Sequence, residues 1–172
     1  MLQDRVKQAI TYAQRSNTLI AILFIDLDHF KKINDTLGHH LGDKLLQQVA
    51  NHLKNCVRES DSVARLGGDE FVICLSNLFK GSDASIVAKH ILDVLTMPFQ
   101  IEAHELHVTC SIGICIYPTD GMDEPTLMRN ADAAMYSSKE QGRNNYKFFA
   151  EEISDPPKLA LNFARKTYDA ES

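Results

Sequence analysis

Four carboxylates in this chain stand where acidic side chains can do metal chemistry. Asp26 and Asp28 come directly after an apolar run, and Asp69 and Glu70 come directly after a pair of glycines. Acids that converge beside buried strands repel each other unless a cation neutralises them. Oxygen ligands of this kind suit Mg²⁺, which keeps its other positions for water and phosphate oxygens. The pattern predicts metal-assisted phosphoryl or nucleotidyl transfer; the competing interpretation is four solvated turn acids.

Helices and strands alternate in the elements that must position these acids. Apolar residues at helical spacing predict helices at 2–16, 29–37, 41–57, 83–96 and 126–138. Apolar runs predict strands at 19–25, 62–66, 70–75, 99–101, 106–117 and 146–149. We expect the second and third strands to form a hairpin, and the fourth and fifth to form another strand pair. The order favours a mixed sheet with helices packed on it.

Length and composition indicate one globular domain. The chain has 172 residues, 44% of them apolar, and a net charge of −5, which argues against binding a nucleic-acid polymer. We predict a domain at 1–150 and a tail or truncated linker at 151–172, after a change in composition. The run Leu19–Ile25 is far shorter than the ~20 residues of a membrane span. No secretory signal opens the chain. The four cysteines are scattered, as is typical of reduced thiols in a cytosolic protein.

Six short motifs follow one another in the chain. They read FIDLDHFKKIND at 24–35, GHHLGD at 38–43, RLGGDEF at 65–71, SIG at 111–113, ADAAMY at 131–136 and KEQGRN at 139–144. Together they resemble, in order, the landmarks of the GGDEF domains, the diguanylate cyclases of bacteria. The resemblance extends from about Leu2 to Phe149. It therefore covers the whole predicted domain.

The resemblance implies a fold and an activity. The fold is an α/β (α+β) sandwich like the palm of nucleotidyl cyclases, with a central mixed or antiparallel sheet of about five strands and helices on both faces. The activity converts two GTP molecules into cyclic di-GMP and two pyrophosphates, by attack of a 3′-hydroxyl on an α-phosphate. Since each domain holds one GTP, the resemblance also implies a homodimer in the active state.

The resemblance further implies roles for the acidic residues. Asp26, the Leu27 carbonyl and Asp69 would bind Mg²⁺ or Mn²⁺, with Glu70 able to share that role. Either Asp69 or Glu70 would help to deprotonate the attacking hydroxyl. The sequence does not divide these tasks between the two neighbouring acids.

The substrate would be held from two sides. Asn34 and Asp43 are the expected guanine-binding residues, because a carboxylate can accept from guanine N1–H and N2–H₂. His39 lies between them in the sequence and either lines the same pocket or caps a helix. The expected phosphate contacts are side chains of Lys31, Lys139 and Arg143 and backbone N–H groups of His29 and Phe30. Gly67 and Gly68 would let the backbone approach the substrate closely.

A second site is implied by Arg58 and Asp61. Their R-x-x-D spacing matches the family's inhibitory site, which binds the cyclic di-GMP product. Arg58 can form paired hydrogen bonds to guanine or phosphate, and Asp61 can accept from guanine. Some relatives add an arginine from the following helix. Here that region has Lys89 and His90, which lack the planar two-pronged group of arginine.

The chain begins directly after the place where such domains usually carry a D-x-L-T-G-L-x-N-R segment. We therefore expect a piece of a longer protein with a sensory or dimerising module, in which the domain faces the cytosol even if that protein is membrane-anchored. A second hypothesis is a regulatory domain that binds GTP or cyclic di-GMP and controls a neighbouring domain such as a phosphodiesterase. A purely structural role would leave all six motifs without a function.

Overall fold

Helices and strands alternate through residues 1–152, the part of the chain that the computed structural model describes. The helices are α1 (Leu2–Ser16), α2 (Phe30–Leu37), α3 (His39–Asn55), α4 (Asp83–Leu95) and α5 (Glu124–Glu140). The strands are β1 (Leu19–Leu27), β2 (Ser62–Gly67), β3 (Glu70–Leu78), β4 (Phe99–Ile101), β5 (His104–Leu106), β6 (Cys110–Tyr117) and β7 (Asn145–Phe148). A 3₁₀ turn, Phe149–Glu152, follows. Of the predicted tail at 151–172, all but the first two residues lie outside the described part.

Five strands form one mixed sheet in the order β2-β3-β1-β6-β7. The central strand β1 is antiparallel to both β3 and β6, and β7 joins β6 in parallel. Every residue of β1 from Ile20 onward is buried, as the unbroken apolar run predicts. The five-stranded mixed sheet and the hairpin of β2 and β3 are confirmed.

Helices cover both faces of this sheet. Odd-numbered residues of β1, such as Leu23 and Ile25, belong to a core that includes α3 and α4. Even-numbered residues, such as Ile22 and Phe24, belong to a second core with α1 and α5. Because side chains alternate along a strand, Asp26 lies on the α5 side of the sheet. In the described residues 1–152, no helix is both long and apolar enough to span a bilayer.

The predicted pairing of 99–101 with one long strand at 106–117 is wrong. Strand β4 instead pairs with β5 in a separate two-stranded sheet, and β6 joins the main sheet. A two-residue connection, with Glu102 at φ 55, turns the chain back at once. This small hairpin lies along α3, where Gln48 Nε2 donates to the Gln100 carbonyl over 3.1 Å and the His52 ring meets Phe99 edge-on at 5.1 Å.

Gly113 on β6 sets how closely α5 approaches the sheet. A Cβ at this position would collide with the backbone of α5 at the Ala131 carbonyl and the Met135 nitrogen. The missing side chain therefore allows direct contact between strand and helix backbones. This contact brings the last turn of α5 over the end of β1, where Asp26 lies.

We expect Gly113→Ala to destabilise the domain by about 2–3 kcal/mol, because α5 must move to admit one methyl group. Urea unfolding followed by circular dichroism measures the change. The matched control is Gly81→Ala, whose added Cβ would meet only the Ile116 side chain at 3.5 Å, an ordinary contact distance. Equal stabilities for the two variants would contradict this account of the β6–α5 contact.

Candidate active site

The predicted acidic residues meet at one edge of the sheet. Asp26 lies directly opposite Glu70 on β3 and Ser111 on β6. The Leu27 N–H donates to the backbone carbonyl of Asp69 over 3.2 Å. This bond holds the turn between β2 and β3 against the end of β1, so that Asp69 stands beside Asp26. Strand β1 extends two residues beyond the predicted end because Asp26 and Leu27 still pair with both neighbours.

Asp26 is a buried acid with one oxygen in an ion pair and one oxygen without a hydrogen-bond partner in the described part of the chain. Its side chain is 8% exposed, and its Oδ2 lies 2.6 Å from the Lys139 ammonium on α5. Its Oδ1 is buried and has no hydrogen-bond partner among the described residues. Burial, followed by repulsion from Asp69, raises the Asp26 pKa to about 7, while Lys139 acts in the opposite direction. A charged Asp26 therefore needs more positive charge than Lys139 supplies.

The residues present fit a hard divalent cation. Asp26 Oδ1 offers an open acceptor, and the neighbouring Asp69 is close enough to raise the Asp26 pKa by repulsion. No cluster of three or more His, Cys, Asp or Glu side chains suited to a metal occurs within residues 1–152. A cation held here would thus have few protein ligands. Such a site matches Mg²⁺, which retains water and binds phosphate oxygens.

The glycine turn before Asp69 is held by an arginine that the sequence argument left without a role. Gly67 and Gly68 have φ values of 154° and 50°, which glycine adopts readily. Arg65 Nε donates to the Gly68 carbonyl over 2.8 Å. Arg65 therefore fixes the backbone immediately before the catalytic candidate. Its position two residues before the glycines is the sequence feature that could have indicated this role.

Asp28 differs from Asp26, although the sequence treats them alike. Its carboxylate accepts from Thr109 Oγ1 at 2.6 Å, from Ser111 Oγ at 2.7 Å and from the Asn144 backbone N–H at 3.1 Å. Both oxygens of Asp28 thus have hydrogen-bond donors, whereas Asp26 Oδ1 has none within residues 1–152. It instead joins the end of β1 to the start of β6 and to the loop after α5.

The candidate guanine-binding residues lie where α2 meets α3. Asn34 is half-buried on α2, whereas Asp43 and His39 are exposed on the first turns of α3. A Cβ at Gly42 would collide with Asn34 Oδ1, so that glycine lets the amide lie against α3. Asp43 also lines a cavity of about 340 Å³ that extends to Arg65. The corner thus brings together one amide and one carboxylate.

The candidate phosphate-binding residues differ in their exposure and in their contacts. Lys31 and Arg143 are exposed. His29 precedes α2 in a left-handed conformation, with φ 58°, and its side chain does not cap the helix. Phe30, the first residue of α2, has its side chain in the core, so only its backbone can serve a ligand. The Lys139 ammonium group donates a hydrogen bond to Asp26.

Arg58 and Asp61 contact each other at a separate place, between α3 and β2. Asp61 has a side chain that is 2% exposed, and it accepts from the backbone N–H groups of Arg58 and Ser76 at 3.0 and 3.1 Å. The Arg58 guanidinium, 54% exposed, also pairs with Asp61 at 3.3 Å. The two residues line a cavity of about 370 Å³. In this geometry Arg58 is the residue presented to a ligand.

The sequence matches one protein family over most of its length. The family model described as diguanylate cyclase, GGDEF domain, matches residues 1–145. The chain belongs to the GGDEF domain family. The six motifs whose resemblance the sequence suggested, at 24–144, all lie within the matched range.

Individual relatives agree with the family and point to larger proteins. The chain is 50% identical over 149 residues to the bifunctional diguanylate cyclase/cyclic di-GMP phosphodiesterase MucR of Pseudomonas aeruginosa, covering 87% of this chain and 22% of MucR. It is 39% identical to the cyclic di-GMP phosphodiesterase PdeR of Escherichia coli, covering 89% of this chain and 23% of PdeR. The chain thus spans under a quarter of the length of either relative.

A solved structure confirms the fold. The crystal structure of the GGDEF domain of PA1120 (YfiN or TpbB) from Pseudomonas aeruginosa matches with a TM-score of 0.84 and 38% sequence identity. The match covers 86% of this chain and 92% of that chain. The sandwich expected from the resemblance, with its mixed sheet and helices on both faces, is therefore confirmed.

Asp26→Asn is expected to stabilise the metal-free domain in a pH-dependent way. The folded protein retains a proton to about pH 7 that the unfolded chain, at the ordinary value of 3.8, has released. Wild-type stability therefore falls as the pH rises from about 4 to 7, by roughly 2–4 kcal/mol relative to the variant. Urea unfolding in a chelating buffer across this range measures the difference.

The matched control is Asp93→Asn, which neutralises an exposed carboxylate on α4. Its stability difference from wild type should stay flat over the same pH range. A flat difference for Asp26→Asn as well would contradict the unfavourable burial of a charged Asp26.

Proposed function

We propose that this GGDEF domain is a diguanylate cyclase that condenses two GTP molecules into cyclic di-GMP and two pyrophosphates, using Mg²⁺ or Mn²⁺. The observation that carries the proposal is the buried Asp26, whose Oδ1 lacks a partner beside Asp69. A site of this kind has a deficit of positive charge, and a metal–triphosphate complex supplies it. Membership of the GGDEF family and the name of MucR support the same activity.

The acidic residues would bind the cation and accept the proton of the attacking hydroxyl. Asp26, Asp69 and the Leu27 carbonyl would hold the cation, with Glu70 on the same edge of the sheet as a further ligand. Bound there, the cation supplies Lewis-acid polarisation of the α-phosphate and offsets charge on the departing pyrophosphate. Asp69 or Glu70 accepts the proton of the attacking 3′-hydroxyl. The Leu27 N–H holds this turn beside Asp26 through its hydrogen bond to the Asp69 carbonyl. Arg65 fixes the backbone of the same turn through its hydrogen bond to the Gly68 carbonyl.

Asn34 and Asp43 select guanine in this proposal. The Asp43 carboxylate accepts from N1–H and N2–H₂, and the Asn34 amide meets a ring or carbonyl acceptor. Adenine lacks that donor pair, so it would leave Asp43 without its partners at a cost of about 1–3 kcal/mol. His39 lies exposed at the rim of the same corner. The domain should therefore prefer GTP over ATP.

Cationic groups hold the triphosphate. Lys31 and Arg143 are exposed and able to reach a ligand. The uncapped start of α2 offers N–H groups near His29 and Phe30. The Lys139 ammonium group is paired with Asp26 in this structure. It becomes available to phosphate when a cation neutralises that acid. Gly67 and Gly68 leave room for the substrate beside the turn.

The reaction needs two domains, because each supplies one GTP to a product that has two-fold symmetry. We propose a homodimer with the two sites facing each other, at least during turnover. Since the chain spans only 22% of MucR, we also propose that the domain acts within a longer protein whose sensory or dimerising module brings copies together. In such a protein the domain would face the cytosol, where GTP is available.

A second candidate function is regulation by nucleotide binding. PdeR, which is named as a phosphodiesterase, matches 89% of this chain at 39% identity. In this alternative the domain binds GTP or cyclic di-GMP and controls a neighbouring catalytic domain without forming product. The two functions differ in one measurable result, the formation of cyclic di-GMP.

We expect the domain to convert GTP to cyclic di-GMP with Mg²⁺ and to form much less cyclic dinucleotide from ATP. Asp69→Asn should lower the rate by about 100-fold or more, because it removes a cation ligand or base at the reacting atoms. Chromatography of the products measures both effects. The control Asp93→Asn should keep the wild-type rate. GTP binding without product, at protein concentrations high enough for dimers, would favour the regulatory function instead.

Arg58→Ala is expected to raise the final amount of product while leaving the initial rate unchanged. The exposed Arg58 guanidinium is the group that the second site offers to cyclic di-GMP, and Asp61 retains its backbone bond from Ser76 after the change. Full progress curves with and without added product test this. Arg129→Ala, an exposed arginine on α5, is the control. Equal product inhibition of wild type and Arg58→Ala would contradict the assignment of this site.

A further inference from the structure

The loop after α5 has an unusual backbone. Gly142, Arg143 and Asn144 have φ values of 113°, 64° and 49° in succession. Glycine adopts such angles easily and asparagine tolerates them, whereas arginine in the left-handed region is disfavoured. Strain of this kind persists only where the surrounding contacts enforce it. The contacts of this loop therefore determine where Arg143 stands.

Local and long-range hydrogen bonds hold the loop. The local bonds close the end of α5 and include those from the Gly142 N–H to the Lys139 carbonyl and from the Arg143 N–H to the Ser138 carbonyl at 3.1 Å. A long-range bond comes from the Asn144 N–H, which donates to Asp28 Oδ2 at 3.1 Å. This bond joins the loop to the residue directly after β1. It therefore helps to fix the position of Arg143 relative to the acidic edge.

Asp28 is itself held firmly enough to serve as an anchor. It is buried, and hydroxyl groups of Thr109 and Ser111 donate to its two oxygens at 2.6 and 2.7 Å. An ionised carboxylate accepts hydrogen bonds but donates none. It can therefore satisfy two hydroxyls and one backbone N–H at once. An amide could still turn its oxygen to the Asn144 N–H and its NH₂ to the Ser111 hydroxyl, which also accepts, whereas an alanine would remove the acceptor of all three donors.

We propose that Asp28 is a positioning residue, which acts through the Asn144 backbone to place Arg143 for the triphosphate. This inference rests on the proposed function, in which Arg143 binds phosphate. It assigns to the second acid of the Asp26-x-Asp28 pair a role that differs from cation binding. The two acids of one strand end thus serve the two halves of the substrate complex, the cation and the phosphates.

A double-mutant cycle tests the proposal. The probe is 3′-deoxy-GTP, which lacks the attacking hydroxyl, and it is bound in the presence of Mg²⁺. Calorimetry gives its affinity for wild type, Asp28→Ala, Arg143→Ala and the double variant. Arg143→Ala should weaken binding by roughly tenfold to a hundredfold. Asp28→Ala should weaken it by about tenfold, because the Asn144 N–H loses its acceptor. The double variant should bind no more weakly than Arg143→Ala, because a misplaced arginine and a missing one are equivalent.

Two further measurements separate positioning from damage to the fold. Affinity for guanosine should be unchanged in Asp28→Ala, because guanosine has no phosphate. Asn144→Val should lose affinity for 3′-deoxy-GTP, because a β-branched residue opposes the positive φ. The control Asn77→Val opposes a φ of 57° at an exposed position of β3, and it should keep the wild-type affinity. Both variants leave Asp28 intact, so the proposal remains testable if Asp28→Ala does not fold.

The outcomes distinguish this inference from the proposed function. Multiplying losses in the double variant would overturn the positioning role while leaving phosphate binding by Arg143 in place. Wild-type affinity in Asn144→Val would overturn it in the same way. If Arg143→Ala binds the probe as tightly as wild type, both the phosphate role of Arg143 and the inference built on it are wrong.

Discussion

The structure depends on the cost of ending a fully buried central strand in two carboxylates. Asp26 lies on β1, Asp28 directly follows its last residue, and both are buried. An ionised carboxylate is expensive to bury unless charge or hydrogen bonds compensate it. Asp28 is compensated on both oxygens, by two hydroxyls and a backbone N–H. Asp26 is compensated on one oxygen, by an ammonium group. The difference leaves Asp26 Oδ1 open to a cation.

Much of the architecture serves that compensation. Helix α5 must come close enough to the sheet for Lys139 to reach Asp26, and Gly113 permits this by bringing two backbones into contact. The chain must then leave α5 through a left-handed turn, so that Asn144 reaches Asp28 and β7 can pair in parallel with β6. Catalytic potential and fold stability therefore share the same few contacts.

The sequence was informative where a pattern is local. The apolar run of β1 predicted a buried strand, and helical spacing predicted all five helices of residues 1–152 to within a few residues. It failed at 99–117, because hydropathy does not show that Glu102 and Ala103 form a tight turn that pairs β5 back onto β4. Likewise, Asp-x-Asp suggested two similar acids. Their different roles depend on donors that lie more than 80 residues away.

The distance along the chain between these partners has a consequence for how the protein is made. Lys139 follows Asp26 by 113 residues, and Asn144 follows Asp28 by 116. During synthesis from the N-terminus, the acids of β1 leave the ribosome long before the groups that neutralise them. The nascent domain therefore cannot compensate these two acids until almost all of the fold has emerged. Assembly of the acidic edge is thus a late event in folding.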